Sequence, residues 1–307
     1  MSTPLAGEHV LVTHQLHKSY GARPAVKNLH LEVRRGEIFG FLGPNGAGKT
    51  TTIRMALGLI RPSAGRVEIF GQDVAQHGAR VLPRVGALIE APALYGYMSG
   101  WANLRAVAGV LGGVPDRRLE EVLEIVDLRG RQRDRVKSYS LGMKQRLGVA
   151  MALLHDPELL VLDEPANGLD PAGIVEMRDL LRRLAGAGKT VFISSHVLGE
   201  VQQLCDRVAI LKEGELVRVA PVADLVGGTG DFAVTVGDVP AALALVRAQA
   251  WGAAARIEDG VLITPSPTGR GSDLIQFLAR SGVWPESLAP RHQGLEEIFL
   301  SLTGGVN

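Results

Sequence analysis

The sequence predicts an α/β fold with a mostly parallel sheet, an inserted helical subdomain and a small α+β lobe at its C-terminal end. Three observations lead to this prediction. Short apolar runs of β character alternate with helical segments along the first 226 residues. A block of helical periodicity interrupts them at about residues 97–157, and a glycine-rich boundary near residue 227 precedes a different order of elements.

The larger domain, residues 1–226, owes its predicted sheet to several apolar runs. Early runs lie at residues 10–13, 29–33, 38–42 and 66–69, and one predicted helix, at residues 49–59, interrupts them. After the helical block, buried-strand runs return at residues 159–162, 190–194 and 208–211, with a helix predicted at 172–184. Strands that alternate with helices are typical of a parallel sheet.

The smaller domain, residues 227–307, has its own order. We predict a strand at residues 232–236, a helix at 240–251 and a hairpin at 255–264 around Asp259-Gly260. A helix at 272–281, a short strand and a last helix at 295–302 follow. This order suits a small βαββαβ lobe, and it contains no catalytic constellation.

The amino-acid composition argues against several classes of partner and site. The 307 residues carry 33 Lys and Arg against 32 Asp and Glu, so no nucleic-acid partner is expected from charge. A single cysteine, Cys205, excludes a disulfide framework and a cysteine-based zinc site, and it fits a reducing compartment. We find no run of 18 or more apolar residues free of charge, and we expect no signal peptide. We therefore expect a cytoplasmic chain without direct membrane insertion.

The strongest chemical signal is a glycine-rich segment that follows an apolar strand and opens a helix. Glycines let consecutive backbone N–H groups and the helix N-terminus face a phosphate. Lysine in such a loop contacts the β- and γ-phosphates, and the following threonine hydroxyl binds Mg²⁺. The pattern predicts a nucleoside triphosphate site at Gly43, Pro44, Asn45, Gly46, Ala47, Gly48, Lys49, Thr50 and Thr51.

Two adjacent carboxylates, Asp163 and Glu164, follow the apolar run at residues 159–162. A buried strand that ends in acids brings them to the carboxyl edge of the sheet, where ligands bind in open α/β folds. We expect Asp163 to complete the Mg²⁺ shell and Glu164 to polarise the attacking water. The alternative, two acids that begin a turn, is weakened by the phosphate loop.

Four further motifs occur in one order. They are Ser19-Tyr20-Gly21, YSLGMKQR at residues 139–146, Asn167-Gly168-Leu169-Asp170 and Ile193-Ser-Ser-His196. With the phosphate loop and acidic strand end, this set resembles the ATPases of ABC transporters over roughly residues 10–220. The segments GALIEAP, YSLGMKQRLG and LEEIFLSLTGG look most like the ATPase subunits of bacterial exporters of antibiotics and antimicrobial peptides, the bacitracin-resistance type.

The resemblance implies a role for each motif, and each role has a structural alternative. It implies that Tyr20 stacks on adenine, although an aromatic of the core is the alternative. It implies that His196 senses the γ-phosphate, whereas a lone histidine after a strand is usually structural. Ser140 and Gly142 would contact the γ-phosphate of ATP on a second copy, and we expect Ser140 also to cap a helix. Asp170 would lie at the dimer seam or be a plain surface residue.

This chain departs from the commonest family pattern at two places. Leu141 and Met143 stand where the signature has a glycine and a glutamine. Glu90 stands where most members have the glutamine that links Mg²⁺ to the transport partner, so Glu90 is a candidate metal and nucleotide ligand. The same substitution is a trait of the antibiotic-peptide exporter subgroup, and a surface acid is the alternative.

The resemblance therefore implies an ATP-binding and hydrolysing subunit, with ATP and Mg²⁺, that energises an exporter of an antibiotic, antimicrobial peptide or other drug. Its expected partners are a second copy of the chain and an integral membrane permease that docks around residues 91–101. The chain would lie peripherally on the inner face of the cell membrane. Two alternatives are a soluble ABC-type ATPase acting on ribosomes or DNA and an unrelated P-loop enzyme such as a small-molecule kinase.

Overall fold

The computed structural model describes residues 9–226, 228–292 and Phe299. The chain divides into two compact units, Met1–Val222 and Ala223–Asn307. A short helix, Val222–Leu225, contains the division.

The first unit contains two sheets. A four-stranded antiparallel sheet has the order β2-β1-β4-β5, and a six-stranded sheet has the order β10-β9-β3-β8-β7-β6. In the larger sheet only β10 runs antiparallel to its neighbour. The strands are β1 His9–Tyr20, β2 Arg23–Arg34, β3 Ile38–Leu42, β4 Ala64–Ile69, β5 Gln72–Asp73, β6 Val85–Leu88, β7 Leu159–Asp163, β8 Thr190–Ser195, β9 Arg207–Lys212 and β10 Glu215–Pro221.

The larger sheet confirms the mostly parallel α/β prediction. Every residue of β3, β7 and β8 is buried, as expected for strands covered on both faces. Of the early runs, residues 38–42 lie in this sheet as β3, whereas the runs at 10–13, 29–33 and 66–69 belong to the other sheet, in which β2 and β4 both pair with β1. Alternate residues of β2 are buried from Leu29 onwards, which is typical of an antiparallel sheet with one solvated face.

The helices of the first unit are α1 Lys49–Ala56, α2 Val74–Val81, α3 Gly100–Val110, α4 Asp116–Ile125, α5 Leu141–Leu153, α6 Pro171–Gly186 and α7 Leu198–Leu204, and the helix at the division is α8 Val222–Leu225. The prediction of one helix before residue 89 is wrong, because α2 also lies there. Asp73 caps α2, whereas His77 departs from helical geometry and Gly78 weakens the helical pattern. Helix α1 ends at Ala56 and not at the predicted residue 59, because Gly58 adopts a φ of 68° and terminates the helix.

One hydrophobic core joins the two sheets and α1. It includes Leu31 of β2, Phe41 of β3, Ile53 of α1 and Phe192 of β8. Cys205 is buried against β3, and a Cβ atom at Gly40 would lie 2.9 Å from its Sγ atom. Burial raises the pKa of the Cys205 thiol far above its ordinary value, so this cysteine is an unreactive packing residue.

The second unit confirms the βαββαβ prediction. Its elements are β11 Gly228–Thr235, α9 Val239–Arg247, β12 Arg256–Glu258, β13 Val261–Pro265, α10 Gly271–Arg280 and β14 Ser287–His292. The antiparallel sheet has the order β12-β13-β11-β14, and the predicted hairpin turns at Asp259 and Gly260, both with positive φ. The predicted last helix, residues 295–302, lies outside the described residues apart from Phe299.

No helix within the described ranges combines the length and hydropathy needed to cross a bilayer.

Candidate active site

The phosphate loop connects β3 to α1. Gly46 and Gly48 adopt φ of 82° and 100°, a region that glycine enters without the Cβ penalty. A Cβ atom at Gly48 would also lie 2.5 Å from the carbonyl oxygen of Ala25, so no side chain fits there. Gly48 is the N-cap of α1 and offers no side-chain cap. The first N–H groups of the helix therefore remain available to an anion.

Lys49 lies beneath this loop and is only 5% exposed. Its Nζ atom donates hydrogen bonds to the carbonyl oxygens of Gly43 at 2.6 Å and Pro44 at 3.3 Å. The same atom lies 3.2 Å from Oε1 of Glu164. A buried ammonium keeps its charge only with such partners, and a phosphate can replace them. The loop thus holds a cation where the phosphates of a nucleotide would lie.

Asp163 ends β7 and is 2% exposed. The Thr50 hydroxyl donates a 2.8 Å hydrogen bond to its Oδ2 atom, and the Ser194 hydroxyl donates to its Oδ1 atom. Ser194 is paired with Asp163 in the parallel register of β7 and β8. A role for Ser194 was not predicted from the sequence, although a polar residue near the end of an apolar run on a neighbouring strand was the available signal.

Glu164 follows Asp163 with φ of 52°, in the left-handed region. Its backbone N–H donates to the carbonyl and hydroxyl oxygens of Ser194, at 3.2 and 3.0 Å. Its Oε2 atom lies 2.5 Å from Nδ1 of His196, which follows β8. The carboxylate is thus held between Lys49 and His196, a contact that sequence spacing did not predict. These bonds stabilise a backbone conformation that is costly for a non-glycine residue.

The cleft above the loop has a volume of about 560 Å³. Leu141 and Gln145 of α5 line one side of it, while Ala47 of the loop is buried. The cleft brings together most of the predicted phosphate, metal and catalytic residues, which are Asn45, Gly46, Gly48, Lys49, Thr50, Thr51, Glu90, Asp163, Glu164 and His196.

Tyr20 lines a separate cleft of about 420 Å³, together with Arg23, Gly46 and Glu213. The tyrosine is 52% exposed, so the alternative of a core aromatic is wrong. Gly46 lines both this cleft and the cleft above the phosphate loop. The ring of Tyr20 is therefore accessible in a cleft that adjoins the phosphate loop.

Ser140, Gly142 and Asp170 line a third cleft, of about 470 Å³, which contains no phosphate-loop residue and shares Leu141 with the cleft above the loop. Ser140 caps α5 by accepting a 3.2 Å hydrogen bond from the Met143 N–H, which confirms the predicted capping. Asp170 caps α6 by accepting from the Gly173 N–H at 3.0 Å, a role that was not predicted from the sequence. These three residues therefore line a different cleft from the phosphate loop of the same chain.

Comparison with known proteins agrees with this geometry. The ABC transporter family profile matches residues 26–167. The bacitracin transport ATP-binding protein BcrA of Bacillus licheniformis is 40% identical over 96% of this chain and 98% of its own length. The chain belongs to the ABC transporter ATP-binding proteins. It is an ATPase whose hydrolysis serves transport.

Two further comparisons support this family membership. The daunorubicin resistance ATP-binding protein DrrA3 of Streptomyces coeruleorubidus is 37% identical to this ABC protein over 94% of the chain and 93% of the relative. A solved structure of the ATP-binding subunit of an ABC transporter matches with a TM-score of 0.62 and 30% identity. That match covers 70% of this chain and 91% of the solved one, and nucleotide binding follows from the family.

Proposed function

We propose that this ABC ATPase energises the export of an antibiotic, antimicrobial peptide or other drug, and that two copies of the chain sandwich two MgATP. One observation carries the dimer. Ser140 and Gly142 do not line the cleft with Lys49 and Glu164 but an adjoining one that shares Leu141 with it. Each would be completed by the other cleft of a second copy.

Nucleotide binding in this proposal begins at the loop. The N–H groups of residues 45–50 surround the phosphates, Lys49 exchanges its carbonyl partners for the β- and γ-phosphates, and Tyr20 stacks on adenine. Stacking on an exposed ring reads no base edge, so affinity depends mainly on the phosphates.

Mg²⁺ fits the oxygen donors at the edge of the sheet. Mg²⁺ is usually held by one or two carboxylates together with substrate phosphates. Thr50 and Asp163 supply such oxygens, and Glu90 lines the same cleft. In the described part of the chain, no group of three or more His, Cys, Asp or Glu side chains is placed to hold a metal alone. The ion would neutralise charge on the phosphates when bound, and Thr50 and Asp163 would hold it.

Hydrolysis in this proposal depends on Glu164. Its carboxylate, fixed by Lys49 and His196, would accept a hydrogen bond from the attacking water and orient it towards the γ-phosphate. His196 would hold Glu164 in place and contact the γ-phosphate. Most of the rate enhancement would come from positioning and charge stabilisation.

The second copy would complete the site. Ser140 is the N-cap of α5, so its hydroxyl and the first N–H groups of α5 meet at one end of the helix. A γ-phosphate placed there would receive hydrogen bonds and the favourable end of the helix dipole. Leu141 is 46% exposed beside them, and apolar contact with the second copy would bury it. Asp170 would then lie at the dimer seam.

The permease would dock near the Glu90 loop, and the chain would lie on the inner face of the cell membrane. Tyr95 and Tyr97 are 53% and 68% exposed, with ring centroids 5.9 Å apart. Buried Asn103 holds the loop by accepting from the N–H of Tyr95 and donating to its carbonyl oxygen, at 2.8 and 3.1 Å. An exposed pair of aromatic rings is suited to anchoring a partner.

Drug and peptide susceptibility of cells that carry this chain tests the proposal. Deletion of the gene should increase sensitivity to one or more peptide antibiotics or anthracyclines. The intact gene should restore resistance, and Glu164→Gln should not, although both proteins accumulate equally. Full resistance with Glu164→Gln would contradict export driven by hydrolysis in this chain. Recovery of the chain with ribosomes or DNA instead of membranes would favour a different ABC ATPase role.

A further inference from the structure

Glu90, the residue that departs from the family glutamine, is paired with an arginine of α1. Its Oε1 atom lies 2.6 Å from an Nη2 atom of Arg54. Arg54 follows Thr50 by four residues, so these two side chains lie on one face of α1. The residue of α1 that pairs with Glu90 is therefore about one helical turn after Thr50.

The backbone at Glu90 is in the left-handed region, with φ of 60°. A non-glycine residue occupies this region only when its surroundings stabilise it. The Arg54 guanidinium supplies one such interaction to the side chain. A glutamine at the same position would suffer the same backbone cost but would lack the charge. Glu90→Gln thus changes the electrostatics of the position and leaves its backbone requirement unchanged.

The pair can also be broken at low cost. The side chains of Arg54 and Glu90 are 41% and 63% exposed, so solvent screens their attraction. A carboxylate released from Arg54 stays close to other oxygen ligands, because Asp163 lines the same cleft as Glu90. Glu90 and Thr50 already line the same cleft. Glu90 therefore has two alternative partners, Arg54 without nucleotide and Mg²⁺ when MgATP is bound.

We propose that Arg54 is a positioning residue that holds the Glu90 carboxylate away from the metal position until Mg²⁺ and nucleotide bind. The inference rests on the proposed function, because it assigns Glu90 to the metal shell. Arg54 and Mg²⁺ compete for one carboxylate, so Arg54 sets how much Mg²⁺ is needed for tight nucleotide binding. The arginine acts through Glu90 and has no contact with the reacting atoms.

The test is a Mg²⁺ titration of nucleotide binding at equilibrium. MgCl₂ is added to the protein and a fluorescent ATP analogue at fixed concentration, and binding of the analogue is measured rather than turnover. The titration is done on the full chain and on Arg54→Ala, Glu90→Gln and the double variant. Arg54→Ala should lower the half-saturating Mg²⁺ concentration about two- to fivefold, the range of an exposed ion pair. In the Glu90→Gln background the same change should shift it less than about 1.5-fold.

Two variants complete the design. Arg54→Lys keeps a charge and should return the half-saturating concentration close to that of the parent chain. Arg66→Ala removes a pair of 2.9 Å with Glu68, neither of which lines the cleft above the phosphate loop, and should leave the titration unchanged. Thermal unfolding of each variant shows whether the fold is intact.

The outcomes separate the inference from the proposed function. An unchanged Mg²⁺ titration for Arg54→Ala would overturn the inference. An equal shift in the parent chain and in the Glu90→Gln background would also overturn it, since the effect would then be direct charge repulsion between Arg54 and the ion. In both cases Mg²⁺-dependent nucleotide binding persists and the proposed function stands. Loss of all Mg²⁺ dependence in the unchanged chain would instead contradict the proposed metal site itself.

Discussion

Gly148 of α5 packs against the loop that carries Glu90, and Gly148→Ala tests this contact. A Cβ atom at Gly148 would lie 2.8 Å from Cβ of Pro92 and 3.1 Å from Cδ1 of Leu88. The proline ring is rigid and cannot rotate away. Helix α5, whose N-terminus carries Ser140, would therefore have to move away from the loop by a few tenths of an ångström or more.

Two opposing terms decide the sign of the change in stability. Replacing a helix-interior glycine by alanine stabilises a helix by about 0.5–1 kcal/mol. Forcing an extra methyl group into a packed interface costs about 1–3 kcal/mol. The clash is larger, so Gly148→Ala should destabilise the first unit by about 1–2 kcal/mol. For a unit of this size that corresponds to a fall in Tm of about 3–6 °C.

Thermal unfolding followed by circular dichroism measures this effect. The matched control is Gly109→Ala in α3, where a new Cβ atom meets no atom within 4 Å. The control should be neutral or slightly stabilising, because only helix propensity changes. A Tm for Gly148→Ala equal to or above that of Gly109→Ala would refute the close packing of α5 on the Glu90 loop.

Three further predictions concern the site and the stability of the fold. Glu164→Gln should bind MgATP with near-normal affinity, while turnover falls about a hundredfold or more, as single-turnover and binding assays will show; normal turnover would disprove its assigned role. Ser140→Arg should leave ATP binding to the monomer intact and abolish the ATP-dependent dimer on size-exclusion chromatography, whereas lost monomer binding would contradict action on a second copy. Hydrogen bonds from Arg84 and Arg35 lower the pKa of Glu158 from 4.5 to about 2. The stability it contributes is therefore present above pH 4.5 and lost as pH falls towards 2. Because this side chain is 40% exposed, Glu158→Gln should lower the free energy of unfolding by about 1 kcal/mol at about pH 7. Urea denaturation should show that the difference from the parent chain shrinks towards about pH 3. A difference that stays constant with pH would exclude the ion pairs as its cause.

The fold was predictable where local pattern and burial agree. The strand at residues 38–42 was predicted to the residue, because each of its side chains is buried and the run is continuously apolar. The four-stranded sheet β2-β1-β4-β5 was not predictable in this way. Apolar character marks β1 and β2 as strands, but pairing between strands depends on contacts distant in sequence. Helix α2 was not predicted because Gly78 weakens its helical pattern, so that Asp73 was not recognised as a helix cap.

The candidate site shows the same division. Residue type and spacing alone determined that this chain has a phosphate loop at residues 43–50 and carboxylates at a strand end, since the glycines and the lysine are required locally. Only the tertiary structure decided that Glu164 contacts both Lys49 and His196, that Ser194 holds Asp163, and that Arg54 pairs with Glu90. These groups come from separate strands and helices. Their meeting depends on the order and register of β3, β7 and β8, which long-range packing determines and no short stretch of sequence encodes.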